Sequence, residues 1–118
     1  MRVIIAGGRD IHSYDIVDDA VGAAIEEYGF EITEVVSGYA RGVDTVGEAW
    51  SIVNGLGYAT PFPADWDRFG KSAGYRRNEE MADYADALIA VWDGESRGTK
   101  HMIDIARRKG LEVFVYFV

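Results

Sequence analysis

The chain has no cysteine, which removes disulfides and thiolate metal sites and points to a reducing, intracellular setting. Long hydrophobic runs are missing as well. The segment Val3-Ile4-Ile5-Ala6 is too brief for a signal-peptide core, and no later run approaches the roughly 20 apolar residues of a membrane span. Positive charge is scarce, with 12 Lys and Arg against 20 Asp and Glu, a formal net charge of -8. A broad nucleic-acid or anionic-membrane surface needs a positive field, so both partners are disfavoured and only a local basic pocket is left open. A soluble, cytoplasmic protein without membrane contact is the expectation. Proline occurs only twice, at Pro61 and Pro63.

What is present is ordinary globular material: 118 residues, 48% hydrophobic and 27% charged, the size of one domain spanning residues 1–118. Short apolar runs alternate with stretches of helical period, the pattern of βαβ units. Strands are expected at Arg2–Ala6, Ile32–Ser37, Tyr58–Phe62, Ala87–Trp92 and Glu112–Phe117, the last two apolar enough to be covered on both faces. The first helix is expected over Ser13–Tyr28, with Ile16, Val17, Ala20, Val21, Ala24, Ile25 and Tyr28 on its inner face and Gly29 as its stop. Others follow from Gly42 to near Gly55, over about Gly74–Tyr84, and from Thr99 to Lys109. Pro61 cannot donate to a ladder, which places its strand at an edge and favours the order 3-2-1-4-5 over 2-1-3-4-5. The fold class is therefore α/β: a three-layer, Rossmann-like arrangement of a five-stranded, mostly parallel sheet with helices on both faces. In that order the chain reverses between strands 1 and 4, and the crevice at their carboxyl ends is where such sheets bind ligands.

Three loops should meet there: Gly7-Gly8-Arg9-Asp10, then Ser37 to Asp44, then Asp93 to Thr99. Each runs into a helix start, where exposed N–H groups and the helix dipole favour an anion, and glycine lets the backbone come close. Glycines also turn tight βα corners for no other purpose, but three such loops on one edge favour a phosphate. The cradle is assigned to Gly7, Gly8, Gly38, Gly42, Gly98 and Thr99, with Arg9, Arg41 and Arg77 neutralising the charge. Asp10, Ser37, Asp44, Asn78 and Trp92 complete the ligand-binding set. Cations also gather in this region at Arg68, Lys71, Arg76, Arg97 and Lys100. Arg76, Arg77 and Lys100 lie near helix amino ends, where the dipole disfavours them, so an anionic ligand or carboxylates such as Asp93 and Glu95 must compensate. Trp66, Phe69 and Trp92 are candidates for stacking on a base, and Ala64–Gly74 for a flap. His12 and His101 have no Cys partners and are far apart in sequence, so no metal is expected.

Standard nucleotide motifs are absent. Neither G-x-x-x-x-G-K-[ST] nor G-x-G-x-x-G occurs, and Ser37 stands where a ribose-binding acid would close strand 2.

The sequence nonetheless resembles the SLOG superfamily of Rossmann-like proteins, in its YspA-type (YpsA-related) branch. The resemblance runs through Ala6-Gly7-Gly8-Arg9-Asp10, Val36-Ser37-Gly38-Tyr39-Ala40-Arg41-Gly42-Val43-Asp44, Phe62-Pro63-Ala64-Asp65-Trp66, Arg77-Asn78, and Ala87 to Trp92 continuing to Gly98-Thr99. The second-loop motif is also similar to that of DNA-processing protein A. The resemblance implies a nucleotide-derived, phosphate-containing ligand, such as a nucleotide or an ADP-ribose-like molecule, held by these loops for sensing or sequestration. It also admits a homodimer. The lysine-decarboxylase-like phosphoribohydrolases of the superfamily carry P-G-G-x-G-T-x-x-E, whose glutamate position here is Met102, which counts against that hydrolysis. A nucleotide-processing hydrolase that cleaves an N-glycosidic or phosphate-ester bond stays open through Asp10, Asp44 or Glu48. A nucleic-acid-processing accessory role is the third reading. No cofactor is expected.

Overall fold

Val3, Ile4 and Ile5 are all fully buried although neighbouring side chains of a strand point to opposite faces, so this strand is covered on both sides. A computed structural model describes all of residues 1–118. That first strand is β1 (Arg2–Gly7), followed by α1 (Tyr14–Tyr28), β2 (Glu34–Ser37), α2 (Val43–Val53) and β3 (Thr60–Pro61). A short α3 (Trp66–Phe69) and a 3-10 turn (Gly70–Ser72) lead into α4 (Ala73–Tyr84), then β4 (Ala87–Trp92), α5 (Arg97–Arg108) and β5 (Glu112–Phe117).

The five strands form one sheet in the order β3-β2-β1-β4-β5, and every pairing is parallel. β1 and β4 are the central strands, in register from Val3 opposite Ala87 to Gly7 opposite Val91. Alternation along them divides the core. Val3, Ile5, Ile89 and Val91 pack with Val17 and Val21 of α1 and Val43 of α2, while Ile4, Leu88 and Ala90 pack with Met81 of α4 and Met102 and Ile103 of α5. Each fully buried large aliphatic chain contributes about 1.5–3 kcal/mol relative to exposure, so both helical layers are held by the same two strands.

Local signals act where expected. Ser13 caps α1, its hydroxyl accepting from the Ile16 N–H at 3.2 Å, and Gly29 ends that helix at φ 70°. Pro61 lies opposite Ser37 on the edge strand.

Three details differ from expectation. The third strand shrinks to Thr60–Pro61, because Gly57 at φ 78° turns the chain just before it and leaves Tyr58 88% exposed. β5 is the opposite edge: Phe114 and Tyr116 pack on one core layer and Val113 and Val115 on the other, but with a strand on one side only, Phe114 alone is buried. On α1, Ile25 and Tyr28 are largely exposed, since the inner stripe is narrower than the apolar pattern and ends at Ala24.

Candidate functional site

The site begins where β1 ends. A Cβ at Gly7 would lie 2.2 Å from the Val91 carbonyl oxygen and 2.8 Å from Val43 Cγ2, so only glycine lets β1, β4 and the start of α2 approach this closely. Gly42, at φ 79°, is pressed against the first loop, where a Cβ would lie 2.3 Å from the Gly8 carbonyl oxygen. That carbonyl accepts the Val43 N–H at 3.2 Å, so the first loop closes part of the amino end of α2. The N–H groups of Arg9 and Asp10, and those of Arg97 and Gly98 at the start of α5, make no hydrogen bond within the protein.

Around these ends lies a cleft of about 620 Å³. The first loop supplies Gly7, Gly8, Arg9 and Asp10; the second, Arg41 and Asp44; the third, Gly98 and Thr99; and α4, Arg77 and Asn78. The other members of the expected ligand-binding set, Gly38, Ser37, Gly42 and Trp92, lie elsewhere, as does Glu48. Gly38 lines a smaller adjoining recess. Ser37 is completely buried beneath the cleft and donates its hydroxyl to Glu48 Oε2 at 2.6 Å, which accounts for both residues being off the cleft wall. Gly42 serves the loop contact just described. Trp92 faces away from the opening: its indole N–H donates to the Ser96 carbonyl at 3.1 Å and its ring packs on Phe117. Of the other aromatic candidates, Trp66 lines the cleft, whereas Phe69 lies under the guanidinium groups of Arg68 and Arg76.

The helix-end cations are also resolved. Lys100 pairs with Asp104 at 2.7 Å rather than with Asp93 or Glu95, and the Arg76 Nε donates to Ser72. The Asp93 carboxylate instead accepts the N–H groups of Glu95 and Ser96, which holds its pKa below the usual range. Ser96 in turn caps α5, its hydroxyl accepting the Thr99 N–H at 3.4 Å. The segment expected as a flap is largely α3 and the 3-10 turn, and it contributes Trp66 and Lys71 to the wall. Tyr75 and Met81 were not singled out from sequence, yet both line the cleft. The available signal was helical spacing, since Tyr75, Asn78 and Met81 share one face of α4.

A hydrogen-bonded chain ties three elements around the opening. Arg77 Nη1 donates to the Gly38 carbonyl and its Nε to Asn78 Oδ1 at 3.1 Å. The Asn78 Nδ2 donates to the Gly98 carbonyl at 3.3 Å and meets His101 Nδ1 at 3.1 Å. Because Arg77 only donates and a carbonyl only accepts, the amide orientation is determined, and His101 Nδ1 must be the acceptor. Asn78 is therefore a brace between α4 and α5 that spends its polar groups on the protein.

The YspA, cpYpsA-related SLOG family matches residues 1–69, the span holding β1, β2 and the first two loops. The chain belongs to that family. It is also 35% identical over 117 residues to the Gene 61 protein of Mycobacterium phage D29, an alignment covering 95% of this chain and 93% of that protein. No solved structure matches.

Within this SLOG chain the electrostatics centre on Asp44. It is 5% exposed, and burial pushes its carboxyl up to about 6, against the opposing pull of the Ala40 N–H at 3.2 Å and the charge of Arg77. Burial in turn lowers the Arg77 guanidinium, with Asp44 opposing. Arg41 faces Asp10 at 3.7 Å in an exposed pair. Met102, at the position of the phosphoribohydrolase glutamate, lines the cleft as a buried apolar side chain. No helix is long and apolar enough to cross a membrane.

Proposed function

We propose that this protein binds a nucleotide-derived, phosphate-containing ligand in the cleft at the carboxyl ends of β1 and β4, for sensing or sequestration. The observation that carries the reading is the meeting of three glycine-bearing loops around one opening of about 620 Å³, with Arg9, Arg41, Lys71 and Arg77 in its wall although the chain as a whole carries a charge of -8. Unpaired N–H groups at Arg9, Asp10, Arg97 and Gly98 supply neutral donors, and the arginines supply charge. Membership of the SLOG family agrees with a nucleotide-related role. No resident cofactor or nucleic acid enters this reading.

Calorimetry against mononucleotides, dinucleotides and ADP-ribose tests it. Micromolar binding to at least one of them is expected, weakened tenfold or more in Arg9→Ala, whose guanidinium makes no hydrogen bond or ion pair within the protein. Absence of binding across the panel overturns the proposal.

One observation favours a second reading, turnover of the ligand. Asp44 lines the cleft with its carboxyl near 6, the range that suits a general acid or base at neutral pH. Against it, Met102 puts a thioether where the hydrolytic relatives carry their carboxylate. Chromatography of nucleotides incubated with the protein decides: release of base, ribose phosphate or inorganic phosphate that Asp44→Asn abolishes would establish the hydrolase.

A further inference from the structure

The recess beside the main cleft has a volume of about 400 Å³ and shares Arg9, Ala40, Arg41, Trp66 and Arg77 with it. The two spaces are therefore adjacent, with these five residues as a common wall. Gly38, Tyr39, Pro63 and Ala64 belong to the recess alone.

Their charges differ. In the main cleft the cations are opposed by the carboxylates Asp10, Asp44, Asp93 and Glu95, whereas the recess is lined by three arginines and no acid. No carboxylate lines the recess itself, although Asp44 Oδ2 lies behind Gly38, so the recess is the more cationic of the two walls. The main chamber, rich in carboxylate acceptors, is suited to hydroxyl and amino donors such as those of a sugar and a base.

Two of the three arginines have capacity to spare, Arg77 being engaged by the Gly38 carbonyl and Asn78. Arg9 makes no hydrogen bond or ion pair in the protein and its guanidinium lies 6.0 Å from the Trp66 ring centroid. Arg41 is engaged only by the 3.7 Å approach to Asp10, with its side chain 73% exposed. The loop itself carries strain at the same place, since Tyr39 is the one residue other than glycine with a positive φ, 58°. Such conformations persist where the surroundings over-determine them and cluster at ligand clamps.

From this geometry we infer that the recess is a second anion subsite, and that the ligand is a nucleoside polyphosphate whose first phosphate lies on the shared arginine wall and whose terminal phosphate enters the recess. The inference rests on the proposal that the main cleft binds a nucleotide, and it narrows the ligand from any nucleotide to one with a phosphate chain.

The test measures AMP and ADP, and GMP and GDP, by calorimetry on the full chain and on two variants that place a carboxylate in the recess alone. Tyr39→Asp suits the left-handed backbone there, and Ala64→Glu adds a carboxylate at a second residue that lines the recess but not the main cleft. Tyr39→Asn is the neutral control. The diphosphate of at least one pair is expected to bind tenfold or more tighter than its monophosphate. Both acidic variants should remove that gain, weakening the diphosphate tenfold or more beyond any weakening of the monophosphate, with Tyr39→Asn retaining it.

Equal affinity for mono- and diphosphate overturns the second subsite and leaves the main cleft as proposed. Equal weakening of both ligands in the acidic variants also overturns it, because the recess would then act only through the shared wall. Binding of neither ligand overturns this inference and the nucleotide reading together.

Discussion

Individual residues of the cleft respond to substitution in opposite directions according to what surrounds them. Gly7→Ala drives a methyl group to 2.2 Å from the Val91 carbonyl, between the two central strands, and should cost on the order of 3 kcal/mol in urea denaturation. Gly98 has open space at its Cβ position and no positive φ. Gly98→Ala should therefore stabilise α5 by about 0.5 kcal/mol while weakening the proposed nucleotide binding, because the added methyl group narrows the cleft beside the unpaired Gly98 N–H. Asp44 sets a pH dependence. Its carboxyl lies near 6 in the folded chain and near 3.8 when free, so between these values the native state holds the proton more tightly and stability falls as pH rises through that window. The loss is on the order of 3 kcal/mol from pH 4 to 7, and Asp44→Asn, which keeps an acceptor for the Ala40 N–H, should flatten this part of the stability profile. A profile unchanged by the substitution would show that Asp44 is not the titrating group.

Elements meet at the cleft through capping and bracing. The Ser96 hydroxyl caps α5 and its carbonyl accepts the Trp92 indole, so one residue couples the end of β4 to the third loop. Ser96→Ala should cost about 1 kcal/mol and raise amide exchange at Thr99, whose N–H the hydroxyl accepts. The Arg77–Asn78–His101 chain joins the second loop, α4 and α5. Burial, the largest influence on His101, lowers its pKa from 6.5, and its Nδ1 accepts from Asn78 in the neutral form. Stability from this ring is complete above 6.5 and is lost as pH falls below that value. Asn78→Asp places a carboxylate beside the ring, and NMR titration should show the His101 midpoint move upward. At this scale the sequence was legible in the strands and helices themselves: β4 and β5 fall on their expected residues, and α1 begins one residue after its expected first position, Ser13. It was less legible at β3, where local turn geometry at Gly57 overrode a strand-like composition.

The whole molecule is a three-layer sandwich in which two central strands support both helical layers and carry loops at their carboxyl ends. Ligand occupancy should therefore stabilise the entire fold. At a hundredfold excess over Kd it adds about 2.7 kcal/mol, and Tm in differential scanning calorimetry should rise on the order of 10 °C, with a smaller shift in Arg9→Ala. The fold class, the strand order through Pro61 at an edge, and the three converging loops all followed from the sequence alone, because period, proline chemistry and glycine placement are local properties that the chain carries wherever it goes. Family membership followed from the same loop residues. Tertiary packing alone decided which of those loop residues face the cleft. Only in three dimensions does Ser37 spend its hydroxyl on Glu48, Gly42 press against Gly8, Trp92 turn toward Phe117 and Asn78 brace α5. These assignments depend on groups distant in sequence but adjacent in space, as does the burial that brings Asp44 near neutrality, and no local pattern encodes which partner a polar group will find.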